Sequence, residues 1–205
     1  MPPAMLPIVL VITAYLIGSI SFAILVSRAM RMADPRSYGS GNPGATNVLR
    51  SGKKIAALLT LLGDTLKGVL ALGIVLQLGL MDEWIAAVAI AVIVGHMWPI
   101  FFRFKGGKGV ATAAGVLLTL DWKMGLAVLG IWLVVAVVTK ISSLAAIAAS
   151  IAAPMLCHFL VPNRPAIFFA VLAIALLLIE RHKRNLINLL AGTEGKIGQS
   201  VKAND

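Results

Sequence analysis

The residues able to do chemistry gather in four polar stretches of this chain. The first is Ser40-Gly41-Asn42-Pro43-Gly44-Ala45-Thr46-Asn47, with Arg50 close behind. The second is Lys105-Gly106-Gly107-Lys108-Gly109 with Thr112. The third is Lys140-Ile141-Ser142-Ser143. The fourth is His182-Lys183-Arg184-Asn185, followed by Gly192-Thr193-Glu194-Gly195-Lys196. Glycine lets backbone N–H groups approach an anion closely. Helix N-termini add a favourable dipole. Lysine supplies charge, arginine a bidentate fork for phosphate oxygens, and Ser, Thr and Asn complete the hydrogen bonding. Together they read as a site for phosphate, one group or more.

Several familiar chemistries are missing. The second stretch lacks the spacing and the preceding strand of a nucleotide P-loop. There is no G-x-S-x-G elbow. The residues five positions after His96, His158 and His182 are Phe101, Asn163 and Ile187, so the usual His-Asp acyltransferase motif is absent. No paired histidines suggest zinc, and the single cysteine, Cys157, excludes both a disulfide framework and a multi-cysteine metal site. No metal and no cofactor are expected.

The elements that must position these stretches are apolar runs. Hydrophobic residues make up 60% of the 205 positions and charged residues 13%, a balance that belongs to membrane proteins. Runs extend over Leu6–Ala29, Ile55–Leu80, Trp84–Phe102, Val110–Leu120, Met124–Thr139, Ser142–Leu160 and Ala166–Ile179. A spanning helix needs about 20 apolar residues, so the reading is an all-α, polytopic transmembrane bundle of about seven spans in a single domain, 1–205. The fourth run would be only about 17 Å long as a helix and is either re-entrant or extended by loop glycines. Pro154 predicts a kink in the sixth run. The N-terminal run has no basic region before it and reads as a first span, not a signal peptide.

Charge orients the bundle. With seven spans, fifteen of the 18 basic residues fall on the side of the C-terminus, Lys202 among them, and only Lys123 and Arg164 on the other. The positive-inside rule then places the C-terminus in the cytoplasm and the N-terminus outside, with all four polar stretches on the cytoplasmic face. The net charge of +10 belongs to that rule and to anionic lipid, not to nucleic acid, since no nucleic-acid-binding motif is present. A transporter for a phosphorylated anion would need its charges along a path through the bilayer, whereas these collect at one side. Asp64 and Lys67 lie inside the second run on one helix face, either as a structural ion pair or as a wall of the polar site. His96 and His158 read as interfacial or core residues.

Three segments resemble a known family. Gly39 through Asn47 with Arg50, Phe104-Lys105-Gly106-Gly107-Lys108-Gly109-Val110-Ala111-Thr112, and His182-x-x-Asn185 with Gly192-x-Glu194-x-Lys196 are similar, in order and spacing, to the bacterial acyl-phosphate-dependent glycerol-3-phosphate acyltransferases (PlsY). The chain departs from that pattern at Asn188, where the family has arginine, and at Ala145 and Ala146, where it has glycine and serine. The resemblance implies a seven-span fold in the bacterial cytoplasmic (inner) membrane with its site facing the cytoplasm. It implies transfer of a fatty acyl group from acyl phosphate to the 1-hydroxyl of glycerol 3-phosphate, giving lysophosphatidic acid and phosphate, the first acylation of phospholipid biosynthesis. It implies catalytic roles for His182, Ser40 and Asn185. Substrate binding is implied for Asn42, Thr46, Asn47, Arg50, Lys105, Gly106, Gly107, Lys108, Thr112, Ser143 and Glu194. The partners expected are the two substrates and membrane lipids, with no obligate protein partner. An acyl phosphate is an activated mixed anhydride, so no enzyme nucleophile is needed, and catalysis would come from positioning and charge stabilisation. The proton acceptor is either His182 or a phosphate oxygen of the donor.

Overall fold

The computed structural model describes residues 5–199; Lys202 lies outside them. The described residues form ten α-helices: α1 (Met5–Gly18), α2 (Phe22–Ala29), α3 (Ala45–Leu49), α4 (Lys54–Gln77), α5 (Asp82–Met97), α6 (Val110–Leu120), α7 (Trp122–Thr139), α8 (Ser142–Leu160), α9 (Pro165–Arg181) and α10 (Lys183–Leu190). Four are long and apolar enough to cross a membrane: α4, α5 with its 3-10 extension to Phe102, α7 and α8. Two more candidate spans are bent pairs, α1 with α2 at 45° and α9 with α10 at 56°. The short α6, of 11 residues, completes the set. Every apolar run of the sequence thus folds as a helix or a bent pair.

Sequence reasoning took Leu6–Ala29 as one continuous run, and the structure corrects this. The helix stops at Gly18 and resumes at Phe22. A break inside a bilayer frees backbone carbonyls that no water can satisfy. Lys67 supplies the donors: its Nζ lies 2.9 Å from the carbonyl oxygens of both Gly18 and Ile20. Asp64, one turn away on α4, balances that ammonium at 3.0 Å. The intramembrane pair is therefore the cap of a broken span, with the ammonium where the C-terminal dipole of α1 favours a cation.

The most extensive packing joins α4 to α6, α7 to α8, and α1 to α5. In membranes, close helix approach depends on small residues, and α4 and α6 use a reciprocal pair. A Cβ on Gly68 would lie 2.4 Å from the Thr112 carbonyl oxygen, and one on Gly115 would lie 2.1 Å from that of Thr65. Asp121 ends α6 and caps α7, its carboxylate accepting from the Met124 N–H at 2.7 Å. α8 runs without interruption through Pro154, and α9 begins on Pro165, where the missing N–H costs nothing. Leucine and valine cover the outer surface, as in Leu62, Leu66 and Leu70 along α4. The hydrocarbon of lipid accounts for that face.

Candidate functional site

The polar stretches converge on one end of the bundle. A cleft of about 1510 Å³ opens there and continues downward between α6, α7, α8 and α9 as an apolar groove. Its mouth is organised by a chain of hydrogen bonds through four separate segments. Lys108 Nζ donates to Asn185 Oδ1 at 2.6 Å, Asn185 Nδ2 donates to Glu194 Oε1 at 2.6 Å, and Ser143 Oγ donates to the same carboxylate oxygen at 2.7 Å. The chain ties the glycine-rich loop before α6 to α10, the following tail and the start of α8. Arg50 joins from α3, its guanidinium beside Gly195 of that tail. The Ile197 N–H, 2.7 Å from the Lys140 carbonyl oxygen, pins the tail over the start of α8.

His182 sits at the bend between α9 and α10, only 3% exposed. Its Nδ1 is 2.7 Å from the Leu178 carbonyl oxygen. A carbonyl only accepts, so Nδ1 carries the proton and Nε2 presents a lone pair. Burial lowers the Lys108 pKa to about 8, aided by the charges of Arg50 and Arg181 and opposed by Glu194.

Arg181 clamps the glycine-rich loop. Its guanidinium donates to the Gly106 carbonyl oxygen at 3.1 Å and to that of Gly107 at 3.0 and 3.2 Å, and it stacks 5.4 Å over the Trp98 ring. From beneath, His96 supports the same two glycines. A Cβ on Gly106 would lie 2.1 Å from the His96 carbonyl oxygen, and one on Gly107 would lie 2.2 Å from His96 Nε2. The His96 ring is held by Thr112 Oγ1 at 3.2 Å, with the Asp64 carboxylate 3.7 Å away.

Ser40, Asn42, Thr46, Asn47, Arg50, Gly106, Lys108, Ser143, His182, Asn185 and Glu194 all line the cleft, whereas Lys105, Gly107 and Thr112 do not. Lys105 points to solvent. The Gly107 N–H donates to the His96 carbonyl oxygen at 3.1 Å, so it is not free to cradle an anion as the sequence reading expected. Thr112 is fully buried against His96. Asn47 lines the cleft, but its side chain mainly folds the first loop: Nδ2 donates to the Pro35 carbonyl oxygen at 2.7 Å and Oδ1 accepts from the Ser40 N–H at 2.9 Å. Sequence reasoning missed the clamp by Arg181; His96, read as interfacial or core, is buried, and only its place under the loop went unread. Arg181 is adjacent to His182 and could have been suspected; His96 is isolated in an apolar run.

Comparison with known proteins gives matches over most of the chain. A family model described as Glycerol-3-phosphate acyltransferase matches residues 8–192. The chain is 61% identical over 193 residues to the glycerol-3-phosphate acyltransferase of Neisseria meningitidis serogroup A, covering 92% of this chain and 96% of that protein. It is 56% identical over 197 residues to that of Chromobacterium violaceum, covering 94% and 96% respectively. Among solved structures it resembles PlsY (YgiH), an integral membrane glycerol 3-phosphate acyltransferase. The glycerol 3-phosphate form matches with a TM-score of 0.88 at 38% identity, over 94% of this chain and 96% of that one. The lysophosphatidic acid form matches with a TM-score of 0.86 at 37% identity, over the same shares.

Proposed function

The chain belongs to the glycerol-3-phosphate acyltransferase family, and from that premise we propose that its donor is an acyl phosphate, its acceptor atom the 1-hydroxyl, and its products lysophosphatidic acid and inorganic phosphate. The observation that carries this reading is the union of a cation-lined mouth, with Lys108, Arg50 and Arg181, and an apolar groove in one cleft. Two phosphorylated groups need the first, and a fatty tail needs the second. The solved structures of PlsY (YgiH), in a glycerol 3-phosphate form and a lysophosphatidic acid form, support it.

In the proposed step the 1-hydroxyl oxygen attacks the acyl carbonyl carbon. The bond from that carbon to the phosphate oxygen breaks and phosphate departs. Lys108 and Arg50 stabilise the charge that moves onto it, while Ser143 holds Glu194, which accepts from its hydroxyl. Ser40 and Asn185 hold phosphate oxygens, with Asn42 and Thr46 beside them at the rim. His182 Nδ1 donates to the Leu178 carbonyl oxygen, which leaves Nε2 as an acceptor; we assign to it the orientation of the hydroxyl, and the proton to a phosphate oxygen of the donor.

The basic mouth faces the cytoplasm of a bacterial inner membrane, by the positive-inside rule. One experiment tests donor and orientation together. Labelled glycerol 3-phosphate given to inside-out vesicles with an acyl phosphate should become lysophosphatidic acid without acyl-CoA or acyl carrier protein. Intact right-side-out vesicles should make none. Activity with a thioester alone would refute the donor, and equal activity on both vesicle types would refute the orientation.

A further inference from the structure

We propose that Arg181 is a positioning residue of the transfer reaction: it holds the glycine-rich loop by its backbone and acts on the substrates only through Lys108. The inference rests on the acyl-transfer reading above and deepens it.

Arg181 lines the cleft as a phosphate ligand would, yet its donors are already engaged. Nη2 donates to the carbonyl oxygens of Gly106 at 3.1 Å and Gly107 at 3.0 Å, and Nε to that of Gly107 at 3.2 Å. Both edges with which a guanidinium grips a phosphate bidentately include Nη2. With the Nη2 protons spent on carbonyls, Arg181 offers a phosphate no fork. Its face is occupied as well, stacked 5.4 Å over the Trp98 ring. The Trp98 carbonyl oxygen is in turn tied to α1, accepting from the Tyr15 hydroxyl at 2.9 Å.

Two adjacent glycines have the widest choice of backbone conformations, so a loop built on them must be ordered from outside. Arg181 orders it from one side. On the other, the His96 carbonyl oxygen accepts from the Gly107 N–H at 3.1 Å. The Gly107 carbonyl shares a rigid peptide plane with the Lys108 N–H. Fixing that oxygen therefore fixes the direction in which the Lys108 side chain leaves the loop to meet Asn185 at 2.6 Å. The Lys108 ammonium is faced by Glu194 from the tail, Arg50 from α3, Arg181 from α9 and His182 from the α9–α10 bend. The charge of Arg181 thus also bears on how readily Lys108 gives up its proton.

The test is a double-mutant cycle on purified protein with hexadecanoyl phosphate and glycerol 3-phosphate. Arg181→Lys keeps the charge but lacks the planar fork that bridges two carbonyls, and should lower kcat about tenfold. In a Lys108→Ala background the same change should cost less than about twofold, because the residue through which it acts is gone. Arg181→Gln also removes a positive charge that disfavours the Lys108 ammonium. The fall of kcat/KM above about pH 8 should then move to higher pH, whereas Arg181→Lys should leave it in place. If Arg181→Gln does not insert, Trp98→Leu loosens the clamp at its stacked face and should likewise lower activity only where Lys108 is present. Losses that multiply in the double variant mean that Arg181 holds substrate itself or only keeps the fold, and overturn the proposal. Full activity of Arg181→Lys, or an unmoved pH profile in Arg181→Gln, overturns it too. Transfer by the unmodified protein from a thioester alone refutes the acyl phosphate, and the same cycle run with that thioester upholds or overturns the clamp. No transfer from any donor by the unmodified protein refutes both.

Discussion

Lys108→Ala should lower turnover about ten- to a hundred-fold, the equivalent of losing one charge-assisted contact of about 1.5–3 kcal/mol in the transition state. Lys53→Ala removes an equal charge from an exposed position near the same face and should cost little. The two variants are compared at equal levels of folded, inserted protein. The contrast depends on where Lys108 sits: at the mouth, hydrogen-bonded to Asn185 and pushed by burial to a pKa of about 8. The sign for pH follows. Anion binding needs the ammonium, which is present below about pH 8 and lost above it. The kcat/KM for glycerol 3-phosphate, which reports the free enzyme, should fall as pH rises through 8. Lys108→Arg keeps its charge throughout and should abolish that fall. Equal activity of the Lys108 and Lys53 alanine variants would reduce the loop to an ordinary membrane turn.

Gly106→Ala should be as damaging, by a different route. Its Cβ would lie 2.1 Å from the His96 carbonyl oxygen and 2.5 Å from Pro99 Cδ. The obstacle is largely backbone, and Arg181 holds the loop from the other side, so neither partner can retreat cheaply. Overpacking of this kind costs about 1–3 kcal/mol, and relief means lifting Lys108 out of register. Turnover should drop at least about tenfold, with a lower thermal midpoint in detergent. Gly73→Ala is the control. A Cβ there meets nothing within 4 Å, and helix propensity favours alanine. Similar behaviour of the two alanine variants would contradict the packing described for the loop.

Much of this architecture is legible in the chain because a bilayer allows few solutions. Backbone polar groups in lipid must be satisfied within helices, so apolar runs become helices, and Asp121 and Pro165 mark two of the boundaries. The break after Gly18 is not legible, since Ser19-Ile20-Ser21 looks like any weakly polar stretch of a span. What stabilises it is Lys67, 47 residues away from Ile20. For Asp64 and Lys67 both readings hold: the pair caps that break, and Asp64 also reaches the cleft beside His96. At the site, residue type revealed which stretches assemble but not what each amide does. Gly107 and Asn47 look like ligands by motif, yet tertiary hydrogen bonds engage the Gly107 N–H and the Asn47 amide. The groove left no signal at all, because alanines facing a cavity and alanines facing a neighbouring helix are identical in sequence.

The central claim is that one cleft holds both phosphorylated substrates and passes the acyl group directly between them, with no acyl-enzyme. The most direct measurement is a single-turnover reaction of purified protein with acyl-labelled acyl phosphate, run first without and then with glycerol 3-phosphate. Direct transfer predicts no labelled protein and no phosphate release in the first case. In the second it predicts phosphate and lysophosphatidic acid appearing together in equal amounts. A burst of phosphate before glycerol 3-phosphate is added, or label retained on Ser40 or Ser143, is the signature of a covalent intermediate and would contradict it.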